Sequence, residues 1–327
     1  MVRKRNMKYS QLKVSVVTPT FLRPAETIDL LGNLAKQTLL PLEVILVDGA
    51  PPEETATENA VRHVADDFPF LVRYARKTGG TAIQRNFGID LANGDFVALI
   101  DDDVRLQEKF LQTITDVFTS ETSRDVGGIV GYRTGGHFAI ETSSRWRWYR
   151  RLRLLTTFEP GRYDFNCGYP INNYLQPPFE GVRPVDFMTT ACAVWRREVF
   201  EDGLQFHPFF RDYGVLEDAH FSLRAGRRWK LLQSGEALCE ELSSPNGRVS
   251  RRSIGYKCVV NYYFVFQDIV NPLSIAQKFR FWRYQSFEFL RVAASAMRRR
   301  QISDLQEVFG RLEGLFAILT GAAFSKK

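Results

Sequence analysis

Apolar positions follow two rhythms over the first hundred residues. In "VSVVTPT" (Val14 to Thr20), "LEVILVDGA" (Leu42 to Ala50) and "GDFVALIDDDV" (Gly94 to Val104) they run almost unbroken. Such runs predict strands buried on both faces, as in a parallel sheet between helices. Between them the period lengthens. "PAETIDLLGNLAKQT" sets Ile28, Leu31, Leu34 and Ala35 at helical spacing, "TENAVRHVADDF" predicts a second helix, and a short strand "LVRYAR" precedes a third helix from Thr81 to Ala92, ended by Asn93 and Gly94. Strand and helix alternate, so the fold class is α/β: a doubly wound, mostly parallel central sheet with helices on both faces. In such sheets ligands gather outside the carboxyl ends of the strands. The three longest strands end in "TPT", "VDG" and "DDD".

Composition narrows the class. With 44% hydrophobic and 25% charged residues in 327, the chain is that of an ordinary globular protein, neither disordered nor a membrane bundle. A net charge of +7 admits an anionic partner, whether nucleic acid, anionic lipid or a phosphorylated metabolite. Cys167, Cys192, Cys239 and Cys258 stand far apart with no CxxC pair, which argues against a zinc site or a disulfide framework and for a reducing cytoplasm. The basic start "MVRKRNMKYSQLK" leads into no signal-peptide core, and nowhere do about 18 apolar residues run unbroken. The expected location is cytoplasmic.

The aspartates carry the first chemistry. Residues two apart in extended chain share a face, so Asp101 and Asp103 can converge while Asp102 points elsewhere. Oxygen ligands of this kind suit Mg2+ or Mn2+, which take their remaining ligands from water and phosphate. The bland alternative is an acidic turn capping a helix that begins near Leu106. No GxGxxG turn and no GxxxxGK(S/T) loop is present, so a bound nucleotide must be held by carboxylates, a metal and main chain.

Five stretches, "SVVTPTFLRP", "LEVILVDGA", "GGTAIQRNFGI", "GDFVALIDDDV" and "LEDAHFSLRA", stand in the order and spacing of the family 2 glycosyltransferases, inverting enzymes of the GT-A fold, and the chain resembles them over residues 14 to 265. The resemblance implies transfer of a sugar from a nucleoside diphosphate donor, with a divalent metal on the diphosphate. It implies that Pro19 and Thr20 border the nucleoside, that Asp48 accepts a hydrogen bond from the base, and that Arg23, Arg85, Asn86 and Asp102 belong to the nucleotide-sugar site. Asp48 is followed by Gly49 and Ala50 rather than the family's second aspartate and Gly-Ser, which leaves the base open. Asp101 and Asp103 match the DxD motif, with Asp103 on the metal and Asp101 assisting it.

Inversion also requires a base to take the acceptor's proton. The family's base is the aspartate of an "ED" pair at a helix start, which implies Asp218 as base and Glu217 in acceptor orientation. "PVDFMTTACAVWRREVF" resembles the strand behind the acceptor site, where Thr190 and Ala191 leave room, while Arg196 and Arg197 read equally as a solvated helix start. Where many relatives carry a metal-binding histidine, this chain has Cys239, Glu240 and Glu241. His63, His137, His207 and His220 show no metal-ligand spacing and read as ordinary surface or core residues.

The segment "SSRWRWYRRLRLLTTFEPGRYDFNCGYP" mixes arginines with Trp146, Trp148 and Tyr149, a composition suited to core packing, a sugar, an anionic acceptor or nucleic acid. After Pro272 two amphipathic helices are predicted. Phe279, Phe281, Trp282, Phe287 and Phe289 alternate with Lys278, Arg280, Arg283 and Arg298 to Arg300, which suggests peripheral attachment to an anionic cytoplasmic membrane surface through residues 273–327 and a glycan or lipid-linked acceptor. The same pattern would also arise from packing on the catalytic domain. The expected organisation is a basic tail (1–13), a GT-A domain (14–271, its nucleotide-sugar half 14–104 and its acceptor half 105–271) and a helical extension (272–327). Two other functions fit parts of the pattern. A nucleotidyltransferase would share the sheet but normally shows a Gly- and Lys-rich loop after the first strand, and a non-catalytic nucleic-acid binder would not depend on the aspartates. No nucleic acid is the expectation.

Overall fold

The computed structural model describes residues 12–120, 123–135, 143–212, 214–242, 249–299 and 302–324. In chain order the elements begin with β1 (Val14–Thr20), α1 (Pro24–Leu34), β2 (Glu43–Asp48), α2 (Ala56–Val64), β3 (Leu71–Arg76), α3 (Thr81–Leu91) and β4 (Phe96–Ile100). The alternation expected from the apolar rhythm is therefore present, strand by strand. There follow β5 (Val104–Leu106), α4 (Phe110–Phe118), β6 (Val126–Thr134), α5 (Ser144–Arg151), β7 (Tyr163–Asp164), β8 (Tyr169–Pro170), β9 (Val182–Pro184) and β10 (Cys192–Arg196). The chain closes with α6 (Glu198–Glu201), α7 (Glu217–Ala225), β11 (Lys230–Glu241), α8 (Arg251–Ile269), α9 (Ile275–Arg299) and α10 (Ile302–Leu319).

Contacts divide these elements into two compact units, one of residues 1–138 with 173–247 and the other of 139–172 with 248–327. The boundary expected after residue 271 falls just beyond α8 of the second unit.

The first unit is built on a sheet in the order β3-β2-β1-β4-β10-β6-β11-β5, with β9 also paired to β11. Strands β3, β2, β1 and β4 are mutually parallel. Every residue of β1, β2 and β4 is buried, as their largely apolar runs predict. Beyond β4 the sheet becomes mixed. β10 runs antiparallel to both β4 and β6, and β11 is parallel to β6 but antiparallel to β5 and β9. The helix expected near Leu106 begins instead at Phe110. Val104 to Leu106 pair with Glu241 to Cys239 because β11 offers an open edge that a capping turn would leave unpaired.

Helix α3 lies unusually close to this sheet. A Cβ on Gly88 would stand 2.4 Å from Val17 Cγ1 and 3.1 Å from Val47 Cγ2, so only glycine lets the helix sit there.

The second unit is helical, with β7 and β8 as a short hairpin. Its aromatics pack closely: the Tyr149 and Tyr284 rings meet edge to face at 5.7 Å, Tyr169 and Tyr284 lie tilted at 4.8 Å, and Phe266 stacks on Phe281 at 5.7 Å. Within that core lies Glu288. It accepts from Tyr149 Oη at 2.7 Å, from Arg145 Nη2 at 3.0 Å and from Arg291 Nε and Nη2 at 2.9 Å each. Burial alone would raise this carboxyl, but the bonds from Arg291, the charges of Arg145 and Arg291 and the Tyr149 hydroxyl together hold it down at about 2.

Of the aromatics on α9, Phe281 is core, Trp282, Phe287 and Phe289 are half-buried, and Phe279 alone is well exposed, at 65%. Arg280 donates to Asn166 and Arg283 to the Arg153 carbonyl. Packing within the second unit thus accounts for most of the pattern that suggested a membrane face. Among the described residues no helix is long and apolar enough to cross a membrane.

Two stability measurements follow. Gly88→Ala is expected to cost about 1–3 kcal/mol in denaturant unfolding, since the added methyl has no room between Val17 and Val47. Glu288 has a folded-state value below its unfolded one, so its contribution is complete above about pH 4.5 and is lost as the pH falls toward about 2. Thermal melts of the wild type should fall more steeply over that window than those of Glu288→Gln, and parallel curves would show that the charge contributes nothing.

Candidate functional site

The carboxyl ends of β1, β2 and β4 come together because their registers align. Thr20 pairs with Asp48 at the ends of β1 and β2, and Val17 pairs with Leu99, so the same register carried forward brings Asp102 beside Thr20. There Thr20 Oγ1 donates to Asp102 Oδ2 at 2.8 Å. Arg23, from the loop entering α1, adds Nη1 to Asp102 Oδ1 at 2.6 Å and to Asp103 Oδ2 at 3.4 Å. Asp102 is almost wholly enclosed, and burial raises its carboxyl to about 6 despite the Arg23 charge and the Thr20 and Arg23 bonds that oppose the shift. The middle aspartate is thereby turned inward. Asp101 and Asp103 remain partly exposed, and each keeps one oxygen with no hydrogen-bond partner among the described residues.

Asp48 is buried too. Its Oδ1 accepts from the Ala50 amide at 2.8 Å and its Oδ2 from Tyr74 Oη at 2.7 Å, so neither oxygen is free. Pro19 lies within β1, opposite Val47. Gln84 locks the two strand ends: its Nε2 donates to Thr20 O at 2.9 Å and to Val47 O at 2.6 Å.

Opposite the aspartates stands the start of α7. Leu216 enters it with φ +69°, a conformation strained for a branched side chain, and the next two residues are Glu217 and Asp218. Arg85 connects the two sides. It is buried, with Nη2 on Asp101 Oδ1 at 2.8 Å and Nη1 on Glu217 Oε1 at 3.0 Å. A lone guanidinium here would be heavily penalised by desolvation, and the two carboxylates reverse that penalty. Asp218 accepts from the Ala219 amide at 2.7 Å, and burial, reinforced by the neighbouring Glu217 charge, pushes its carboxyl well up from the usual aspartate range. On the third side, β10 is antiparallel to β4 with Cys192 opposite Ile100, so Ala191 O accepts from the Asp101 amide at 3.3 Å, with Thr190 buried beside it.

Some residues turn out to hold the scaffold. Asn86 spends both ends of its amide on the Phe206 main chain, donating at 2.8 Å and accepting at 2.8 Å. Arg196 donates to the carbonyls of Val126, Phe118 and Ser123, and Arg197 to those of Gly94 and Ala92, so both are main-chain clasps rather than a solvated helix start. Cys239 is buried, its thiol driven far upward by a hydrogen bond with Cys192 and by burial; Glu241 is paired with Arg133, and Glu240 points outward. Among the described residues no group of three His, Cys, Asp or Glu side chains is placed to hold a metal. His207 packs its ring 5.6 Å from the buried His220, His63 is exposed, and His137 lies outside the described residues.

Sequence reasoning missed Gln84, Tyr74, Phe206 and the Gly80–Asp212 bridge. At that bridge a Cβ on Gly80, which has φ +99°, would fall 2.0 Å from Asp212 O. The paired glycines of "GGTAIQRN" were the available signal for the bridge.

The family model described as Glycosyl transferase family 2 matches residues 15–204. Glycosyltransferase GlyG of Streptococcus pneumoniae is 22% identical over 211 residues, which are 60% of this chain and 64% of GlyG. The glucosyl-dolichyl phosphate glucuronosyltransferase of Haloferax volcanii is 32% identical over 130 residues, 36% of this chain and 38% of that protein. The chain thus spans less than two thirds of the length of these relatives. Among solved structures, the mannosyltransferase PcManGT from Pyrobaculum calidifontis in complex with GDP-Man and Mn2+ superimposes with a TM-score of 0.57 at 14% identity, over 96% of this chain and 94% of that one. GalNAc-T7 with UDP, GalNAc and Mn2+ gives 0.56 at 15% identity, over 79% and 48%. These likenesses show a GT-A fold.

Removing the bridge should be costly. Arg85→Met leaves Glu217 buried without its cation and is expected to lower stability by about 3 kcal/mol in urea unfolding. Adding Glu217→Gln to that variant should recover part of the loss, and strictly additive effects would show that the two side chains are not coupled.

Proposed function

Because the chain belongs to glycosyl transferase family 2, we propose that it moves a sugar from a nucleoside diphosphate sugar to an acceptor hydroxyl with inversion at the anomeric carbon, Asp218 acting as the base. The observation that carries this reading is the Arg85 bridge, which ties the aspartates at the sheet end to the carboxylate pair at the start of α7. One buried cation thus sets the distance between the two groups of acids.

The donor's diphosphate is assigned to the end of β4, next to Asp101 and Asp103. Their unpartnered oxygens are hard donors that fit Mg2+ or Mn2+, with further positions left to water and phosphate. The Mn2+ held by PcManGT and GalNAc-T7 supports the same choice. When bound, the ion supplies positive charge to the departing nucleoside diphosphate. Arg23 and Thr20 hold Asp102 inward and thereby orient the two flanking carboxylates. Pro19 and Thr20 border the nucleoside, whose base remains unassigned because Asp48 is engaged by Tyr74 and Ala50.

On the acceptor side Thr190 and Ala191 supply small surfaces beside Asp101, and Glu217, fixed by Arg85 and Thr81, orients the hydroxyl. Asp218 then takes the hydroxyl proton as the oxygen attacks the sugar from the face opposite the leaving group. Its raised affinity for a proton suits that role, since a base whose value lies nearer the working pH accepts more readily. A glycan or lipid-linked hydroxyl is the acceptor class this arrangement would take.

Donor turnover measured on a panel of nucleotide sugars with Mn2+ tests the reading. Asp218→Asn should retain donor affinity and lose about a hundredfold or more in transfer rate. Asp103→Ala should lose metal-dependent binding of the nucleoside diphosphate in calorimetry. Normal turnover by Asp218→Asn would move the base elsewhere.

A further inference from the structure

The site leaves unused the most basic stretch of the chain. In the second unit α5 buries Trp146 and Tyr149 and turns Arg147, Trp148, Arg150 and Arg151 to the outside, where Leu152 and Arg153 continue the exposed edge. Trp148 is 47% exposed and Leu152 42%. The Arg151 guanidinium lies over the Trp148 ring at 5.3 Å and Arg150 over Phe158 at 5.0 Å. No Asp or Glu occurs between residues 143 and 158. Among the described residues none of these four arginines is ion-paired, whereas Arg145, on the same helix, is held by Glu288.

The end of the helix adds a second observation. The Arg153 amide bonds to Arg150 O at 3.1 Å and the Leu154 amide to Tyr149 O at 3.0 Å, the paired bonds of a Schellman ending, and Arg153 occupies its left-handed position at φ +49°. Glycine is the favoured residue there, since it takes that conformation without steric cost. In this chain an arginine stands where the backbone alone would favour glycine.

We propose that this edge, Arg147, Trp148, Arg150, Arg151, Leu152 and Arg153, is a contact surface for the anionic headgroups of a lipid bilayer. Unpaired guanidinium groups complement lipid phosphates, and an indole and a leucine set among them can enter the headgroup boundary. A nucleic acid would use the arginines and could stack on Trp148, but it would leave Leu152 facing water; a bilayer interface accommodates both. The proposal is independent of the glycosyltransferase reading, because it invokes no residue of that site.

Sedimentation of the full chain with vesicles of phosphatidylcholine, with and without phosphatidylglycerol, tests it. Wild type should bind the anionic vesicles alone, less so as salt rises. Arg150→Gln with Arg151→Gln should lower the partition coefficient about 30-fold, and Arg153→Gly about fivefold. Arg153→Gly should melt no lower than wild type, because the left-handed position suits glycine, so its weaker binding cannot be ascribed to unfolding. Trp148→Ser with Leu152→Ser should weaken binding while leaving its salt dependence unchanged. Equal binding of all variants to anionic vesicles overturns the proposal, as does equal binding of wild type to neutral vesicles, which would place contact on exposed apolar residues such as Phe279 and Phe316. Failure to bind any vesicle also overturns it, and arginine-dependent binding of single-stranded RNA in that case would reassign the edge to a polymeric anion.

Discussion

Five carboxylates, Asp101 to Asp103 with Glu217 and Asp218, are held at one end of a sheet whose central strands β1, β2 and β4 are buried throughout. Their mutual repulsion is the constraint the first unit must satisfy, and it does so with two arginines. Arg23 comes from the entrance to α1 and takes the middle aspartate, while Arg85 comes from the first turns of α3 and divides its guanidinium between Asp101 and Glu217. Because Arg85 must reach both acids from a buried position, α3 has to lie tightly on the sheet. Gly88 permits that approach, and Gln84, one residue before Arg85, adds a side-chain donor to the Thr20 and Val47 carbonyls at the ends of β1 and β2.

The parallel half of the sheet was legible because its signal is local. A nearly unbroken apolar run followed by a helical period says strand and then helix, and both faces of β1, β2 and β4 are buried as such runs predict. The mixed half was harder to read. Val104 to Leu106 become a strand only because β11, more than a hundred residues later, presents its edge, and nothing in three residues announces a partner so distant. Acids were likewise easier to locate than their counterparts. Asp101 to Asp103 stand out in the sequence, whereas Tyr74 on Asp48 and the Phe206 main chain on Asn86 depend on contacts across the fold.

The second unit shows what an amphipathic pattern leaves undecided. Aromatics and arginines alternate on α9 as they would on a membrane-lying helix, yet Phe281 and Tyr284 are core and Arg291 serves a buried carboxylate. The pattern reports that one face is apolar and leaves open what covers it. In this unit α5, α8, β8 and α9 contribute aromatics to a shared interior, and Glu288 is tolerated there because four donor atoms satisfy it. Helix α8 escaped notice because its apolar residues are spread around the axis, which leaves little period to detect.

The segment from Phe206 to Glu217 is fastened to α3 at three heights: Gly80 and Thr81 at Asp212, Arg85 at Glu217 and Asn86 at Phe206. A mechanical designer would say that both jaws of the tool are mounted on one rail. Placement errors along the long path from β4 to α7, through more than a hundred residues, do not add up at the jaws, because spacing is gauged from the helix and not from the chain. Insertions between β5 and β10 can therefore vary in length without altering the gap between the acids at either end.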